Sequence, residues 1–222
     1  MKIYRTLDIF VLISISIALY MVFIYAPSEN IMGIVQKIFY FHVSSAWISF
    51  LGLSVTFICS ILYLYTNKPL FDYVAYSSVE ISLTFCTIVL ITGPIWAKPI
   101  WFVWWTWDPR LTTTLILWFI YVGYIMLRKF IEDEEKKARF SAALGIIGFI
   151  DVPIVFFSIR WWRTIHPNVI QKGGGGIAPE MMNTLLLSIL AFTLLYISFI
   201  IKRVRIELIE KDFTSPTAFI VC

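Results

Sequence analysis

Two histidines, His42 and His166, are the only imidazole side chains in the 222-residue sequence. A single histidine in a loop is most often simply solvated, but haem iron accepts a pair of axial imidazoles, one on each side of the ring. A structural zinc ion would instead need four nitrogen or sulfur ligands, and no suitable cysteine lies near either histidine. Because the two histidines flank a segment rich in tryptophan, the pattern favours ligation of one haem iron by both.

That segment, residues 96–112, has five tryptophans in its first twelve residues and interleaves them with prolines. Tryptophans form a belt at membrane interfaces, which accounts for one or two of them at each helix end. Aromatic faces also stack on a flat apolar ligand of porphyrin size. The residues alone leave the belt and the ligand platform as equal alternatives. The five tryptophans are Trp96, Trp101, Trp104, Trp105 and Trp107.

Asp108, Pro109 and Arg110 close this segment. Aspartate at the N-cap followed by proline at the first helical position is a strong signal for the start of a helix. Such a cap is compatible with a role in a binding site. Arg110 has three possible partners: the Asp108 carboxylate, a lipid headgroup, or a ligand carboxylate such as a haem propionate.

A carboxylate also occurs inside an apolar segment, at Asp151, two residues before Pro153. Ionisable residues within a membrane span are candidates for function, because burying their charge is costly. Alternatively, Asp151 caps a break in the helix caused by Pro153, which lacks a backbone donor. The sequence leaves both interpretations open.

The elements that must position these residues are membrane-spanning helices. The composition is 59% hydrophobic and 14% charged, whereas soluble domains have about 25% charged residues. The apolar residues form blocks of roughly 20, the length that crosses a bilayer core. This excludes an ordinary soluble core and predicts an all-α polytopic membrane protein, with residues 1–222 as one membrane domain. The predicted spans are 7–26, 43–65, 78–96, 111–128, 139–158 and 181–201.

A short amphipathic stretch precedes the second span. Its apolar residues recur at helical spacing, which predicts a short interfacial helix on the outer face. His42 follows the last of them by four residues and would extend the apolar face, where an imidazole is costly unless it binds something. The apolar residues are Ile31, Ile34, Val35 and Ile38, with Glu29, Gln36 and Lys37 off the stripe.

The distribution of basic residues predicts the orientation. Twelve of the 18 lysines and arginines lie in the connections on one side, and six lie on the other. The positive-inside rule then places both termini in the cytoplasm and both histidines outside. The twelve are Lys2, Arg5, Lys68, Arg128, Lys129, Lys136, Lys137, Arg139, Lys202, Arg203, Arg205 and Lys211; the six are Lys37, Lys98, Arg110, Arg160, Arg163 and Lys172.

The run from Trp104 to Thr112 resembles the tryptophan-rich WWD motif of the haem-handling proteins of cytochrome c biogenesis. Length, span number and histidine positions are similar to the haem exporter protein C (CcmC) family of system I cytochrome c maturation. The resemblance covers nearly the whole chain. The sequence departs from it at Ala97, Phe102 and Val103, where the family often has Gly, Gly and Thr. The further matching segments are 93–96, 121–123, 151–155 and 161–166.

The resemblance implies a protein of the bacterial inner membrane that presents haem b at the outer leaflet and loads it onto the haem chaperone CcmE. It implies His42 and His166 as axial ligands and the tryptophan-rich segment as the contact region for haem and chaperone. The further partners implied are the small subunit CcmD and the ABC transporter subunits CcmA and CcmB. The implied role is haem delivery and not enzymatic catalysis. The chain carries no nucleotide-binding signature, so ATP hydrolysis would belong to these partners. Site residues expected near the haem are Trp96, Trp101, Trp104, Trp105, Trp107, Asp108, Arg110, Trp161 and Trp162.

Three other functions fit parts of the pattern. A quinol-oxidising membrane cytochrome would need histidines in the middle of its spans, and none of the predicted spans has one. A cytochrome c synthase of the same superfamily would be larger and carry additional histidines in its helices. A scaffold that uses its tryptophans only as anchors would bind no haem, so a haem spectrum of the purified protein separates it from the others.

Overall fold

The computed structural model describes residues 2–29, 32–162 and 177–214. Within these ranges the chain forms seven α-helices, and a short π-helical turn, Met21–Tyr25, continues the first. The helices are α1 Lys2–Tyr20, α2 Ile38–Thr66, α3 Pro69–Trp101, α4 Pro109–Phe130, α5 Glu134–Phe149, α6 Asp151–Trp161 and α7 Pro179–Thr214.

Six helical stretches in the described part of the chain are long and apolar enough to cross a membrane. The predicted class, an all-α polytopic membrane protein with six spans, is therefore confirmed. The fifth span combines α5 and α6, which are separated at Ile150. The N–H of Ile150 donates to Ile147 O at 3.1 Å, and Pro153 has no N–H to offer the carbonyl of Phe149. The helical hydrogen bonding is thus interrupted one turn before the proline.

Helix α3 is longer than the predicted third span. Its 33 residues correspond to roughly 50 Å at 1.5 Å per residue, well beyond the hydrocarbon core of about 30 Å. Pro94 and Pro99 lie inside it without ending it. As a result Trp101, which the sequence placed beyond the third span, lies on the last turn of the helix, and Trp96, the predicted end of that span, lies inside it.

The predicted interfacial helix differs in form. It is a single 3-10 turn, Ile34–Lys37, that runs directly into α2. Gln36, off the apolar stripe, is buried, whereas Ile34 is 73% exposed. In a membrane protein the outward side chain is apolar because it meets lipid, so the stripe does not mark the buried face. Ile31 lies outside the described residues.

The antiparallel helices give the bundle two different ends. Ion pairs join α1 to α7, α3 to α4 and α5 to α7 at one of them, which we call the charged end. The opposite end contains the start of α2, the ends of α3 and α6 and the 102–108 loop, and we call it the tryptophan-rich end. The pairs at the charged end are Asp8–Lys202, Asp72–Arg128 and Glu134–Lys211.

Helices α2 and α3 pack closely because small residues face each other. The hydroxyl of Ser78 donates to Gly52 O at 2.7 Å. A Cβ at Gly52 would lie 1.9 Å from the Ser82 hydroxyl oxygen, so any larger residue would require that hydroxyl or one of the helices to shift. Toward the tryptophan-rich end, Phe39, Tyr40 and Trp96 form a buried cluster with residues of α7. Together these contacts fix the first turns of α2 against α3.

Candidate functional site

A cavity opens at the tryptophan-rich end between α2, α3, α4, α6 and the 102–108 loop. The space between its walls, with the open solvent at its mouth included, is about 930 Å³. Its walls are mainly apolar, from Phe50, Val89, Leu90, Leu117 and Val155. The polar and aromatic residues that line it include His42, Trp96, Trp101, Trp104, Trp105 and Arg110.

His42 lies in the second turn of α2, and only 8% of it is exposed. Its Nδ1 is 2.9 Å from the hydroxyl oxygen of Thr92 on α3. Its ring meets Trp96 edge to face, with 6.0 Å between the centroids. Helix α2 therefore carries the histidine, and α3 supplies the groups that orient its ring.

Trp96 and Trp101 form the wall beside this histidine. Trp96 is 4% exposed and packs against Phe39 at 5.9 Å between ring centroids. Trp101 is one and a half turns further along α3, and its ring centroid is 6.3 Å from that of Trp96. Because both sit on a helix that is itself anchored in the buried cluster, these two aromatic faces are held firmly.

The 102–108 loop adds Trp104 and Trp105 to the lining. Lys98 at the end of α3 holds this loop: its ammonium group donates to Phe102 O at 3.1 Å and lies 5.8 Å from the Trp104 ring. Trp107 does not line the cavity; it is 76% exposed and meets Trp105 edge to face at 5.9 Å. The loop thus presents aromatic rings both inward and outward.

Asp108 caps α4, as the sequence predicted. One of its carboxylate oxygens accepts from the N–H of Arg110 at 3.0 Å, and Pro109 occupies the first helical position. Asp108 is buried and does not line the cavity, whereas Arg110 does. Among the described lining residues, Arg110 carries the one permanent charge, and the cap fixes where its helix begins.

Trp161 and Trp162 are not among the described residues that line this cavity. They are exposed at the end of α6, and Trp161 stacks on Phe157 at 5.4 Å with an interplanar angle of 24°. Both lead into the segment that contains the second histidine. His166 lies outside the described residues, so its distance from His42 is not part of the structure.

Asp151 is the first residue of α6. One carboxylate oxygen, Oδ2, is buried with no hydrogen-bond partner among the described residues. Pro153, in the same turn, is exposed on the outer surface of the bundle.

Several lining or supporting residues had no signal in the sequence. Thr92 contacts His42 on α2, and Lys98 contacts Phe102 in the loop. Ser49 and Cys86 form part of the cavity wall. Thr92 is 50 residues from His42 along the chain. Only the packing of α3 on α2 reveals that contact.

The profile of the haem exporter protein C family matches residues 1–218. A haem exporter protein C of Bradyrhizobium diazoefficiens is 34% identical over 192 residues, covering 86% of this chain and 73% of that protein. The Escherichia coli K12 haem exporter protein C is 33% identical over 190 residues, covering 84% and 77%. A putative cytochrome c biosynthesis ccmC-like mitochondrial protein of Marchantia polymorpha is 36% identical over 191 residues, covering 86% and 81%.

Proposed function

The chain belongs to the haem exporter protein C family, and on that premise we propose that it presents haem b at the outer face of the bacterial inner membrane and loads it onto the haem chaperone CcmE during cytochrome c maturation. The observation that carries this proposal is the position of His42, whose imidazole lines an aromatic cavity at the tryptophan-rich end. A neutral imidazole is a common axial ligand of haem iron.

The residues present fit a porphyrin. The aromatic rings of Trp96, Trp101 and Trp105 offer faces or edges to a flat apolar ring system. Arg110 supplies a cation for a propionate carboxylate, a pairing that guanidinium geometry favours. The apolar wall around Leu90 and Leu117 suits the hydrocarbon edge of such a molecule.

The proposal assigns the second axial position to His166. The support comes from the sequence, since His42 and His166 are the only histidines in the chain. Trp161 and Trp162 stand just before this segment, and we assign them to its aromatic surroundings. Two imidazoles, one on each side of the ring, would give six-coordinate iron.

The proposal also assigns the partners. Trp107, which is 76% exposed, and Trp104, which lines the cavity but is still 58% exposed, offer a docking surface for CcmE. CcmD, CcmA and CcmB would complete the complex, and ATP hydrolysis would belong to the transporter subunits. Both termini are assigned to the cytoplasm by the excess of basic residues at the charged end. Labelling of Lys136→Cys from the cytoplasm and of Phe102→Cys from outside would support this orientation, and the opposite result would overturn it.

The deciding experiment is the spectrum of the purified chain loaded with haem. We expect six-coordinate, bis-histidine iron in the wild type and five-coordinate or solvent-ligated iron in His42→Ala and in His166→Ala. Thr84→Val, on an exposed face of α3, serves as a control that should keep the wild-type spectrum. A double His42→Ala, His166→Ala protein that keeps the bis-histidine spectrum would falsify the assignment, because no third histidine exists to replace them. Haem transfer to purified CcmE, followed in the same variants, tests the delivery step.

A further inference from the structure

We infer that Thr92 is the positioning residue of this site: it fixes His42 in the tautomer protonated at Nδ1 and thereby makes Nε2 the nitrogen that binds iron. The inference rests on the proposed function, in which His42 is an axial ligand. To that proposal it adds Thr92, on α3, as the residue that orients His42, and Nε2 as the imidazole atom that binds iron.

The argument begins with the proton of the Thr92 hydroxyl. That hydroxyl donates to the carbonyl oxygen of Ile88, one helical turn earlier, at 2.7 Å. A hydroxyl has one proton and two lone pairs, so the Thr92 oxygen can only accept in its second contact. The atom at 2.9 Å in that contact is Nδ1 of His42. The Thr92 hydroxyl can keep both contacts only if Nδ1 is the donor, as an N–H.

The tautomer follows directly. In a neutral imidazole, one ring nitrogen carries the proton and the other carries the lone pair. Protonation at Nδ1 leaves the lone pair on Nε2, and only a lone pair can bind a metal. His42 lines the cavity, and its Nδ1 is bonded to Thr92 on α3. This hydrogen bond therefore selects both the tautomer and the rotation of the ring.

The neighbours of Thr92 on α3 agree with this role. Gly93 lies beside the ring: a Cβ there would be at ordinary van der Waals distance, 3.5 Å, from Cε1 of His42. Trp96, one turn beyond Thr92, meets the ring edge to face. The three residues thus hold one imidazole from one face of a single helix.

When the ring nitrogen that does not bind the metal donates a hydrogen bond, the ligating nitrogen of the histidine becomes more basic. A more basic ligand stabilises the ferric state relative to the ferrous state. Loss of the acceptor should therefore weaken haem binding and shift the midpoint potential to more positive values. For outer-shell partners of metal ligands, the loss in affinity is on the order of 10-fold to 100-fold.

The first test uses Thr92→Val, which replaces the hydroxyl by a methyl group of similar size, and Thr92→Ser, which restores the hydroxyl. We expect Thr92→Val to weaken haem binding by roughly 10-fold or more and raise the midpoint potential, and Thr92→Ser to return both toward wild type. Thr87→Val is the matched control. Thr87 also donates to the carbonyl four residues back and accepts from an aromatic N–H, that of Trp118, but does not line the cavity. Wild-type affinity and potential in Thr92→Val, or an equal change in Thr87→Val, would overturn the inference.

The second test does not depend on the chemistry of His42 itself. In His42→Gly, added imidazole can bind iron through one nitrogen and donate to Thr92 through the other, whereas 1-methylimidazole has no N–H to donate. We expect imidazole to bind the haem-loaded His42→Gly protein more tightly than 1-methylimidazole does, and this preference to shrink when Thr92→Val is added. A preference unchanged by Thr92→Val contradicts the role of Thr92.

The two proposals fail in different ways. If His42→Ala leaves the axial ligation unchanged, the proposed function loses its ligand and the inference falls with it. If His42→Ala removes the ligand but Thr92→Val changes neither affinity nor potential, the site stands and Thr92 has no part in orienting it.

Discussion

Asp72 on α3 and Arg128 on α4 form a bidentate ion pair at the charged end, with Nη1–Oδ1 and Nη2–Oδ2 distances of 2.6 and 2.9 Å. Both side chains are less than 10% exposed, and the guanidinium group also lies 4.5 Å from the Tyr76 ring. Removing one partner leaves the other charge buried and uncompensated, which costs about 3–5 kcal/mol. We therefore expect Asp72→Ala and Arg128→Met each to lower the thermal stability of the protein in detergent markedly.

The control for that prediction is the exposed pair Glu135–Arg139. Exposed pairs contribute about 0–1 kcal/mol, so Glu135→Ala should change the melting temperature little. The double variant Asp72→Ala, Arg128→Met should be more stable than either single variant, since no charge is left alone. A melting temperature that falls equally in the buried and exposed single variants would contradict the prediction.

This pair also shows which features of the molecule the sequence can predict. Local patterns predicted the six spans and the Asp108 cap, because apolar length and capping chemistry are set by neighbouring residues. Arg128 was counted only as an orientation signal, since its partner lies 56 residues away. The same limit hid the contact between Thr92 and His42. Long-range pairings depend on how helices pack, and that information is not local.

The close approach of α2 and α3 gives a second prediction. At Gly52, a Cβ would lie 1.9 Å from the Ser82 hydroxyl oxygen and 3.1 Å from a Tyr196 ring carbon. Gly52→Ala should force the helices apart and lower the melting temperature, as overpacking typically costs 1–3 kcal/mol. Gly123→Ala on α4 is the matched control, because nothing lies within 4 Å of its Cβ position. Equal stability of the two variants would show that Ser82 and Tyr196 move aside for the added Cβ at little cost in stability.

Phe102 ends α3 in the left-handed conformation, with φ at 63° and ψ at 11°. This is the position after a helix where glycine is preferred, and a residue with a side chain pays roughly 1–2 kcal/mol there. The Phe102 ring is 80% exposed, so its packing contributes little to the stability of the protein. We expect Phe102→Gly to be folded and at least as stable as wild type, as measured by thermal denaturation.

Phe102→Ala separates the two effects at this position, because it removes the ring but keeps a Cβ. It should be no more stable than wild type. If Phe102→Ala stabilises the protein as much as Phe102→Gly does, the ring and not the backbone conformation is the source of the strain.

The tryptophans of the loop test the platform against the interfacial belt. Replacing Trp104 and Trp105 together by leucine keeps apolar character while removing flat faces from the cavity wall. We expect weaker haem binding and slower transfer to CcmE at unchanged membrane insertion. Trp47→Leu is the control, since Trp47 is 44% exposed on α2 outside the cavity. Normal binding and transfer by the double variant would favour the belt.

Arg110 gives the prediction that most directly addresses how the ligand is oriented. It is the permanently charged residue among the described lining residues, and Asp108 fixes the start of its helix. If its guanidinium group pairs with a propionate, Arg110→Met should weaken binding of haem but not of haem dimethyl ester, whose carboxylates are masked. Charge-assisted pairs of this kind contribute about 1.5–3 kcal/mol, or roughly a 10-fold to 100-fold change in affinity. Arg110→Lys should retain part of the preference for free haem, because it keeps the charge but loses the bidentate geometry. An equal loss of affinity for both porphyrins in Arg110→Met would mean that the arginine shapes the cavity without contacting a carboxylate.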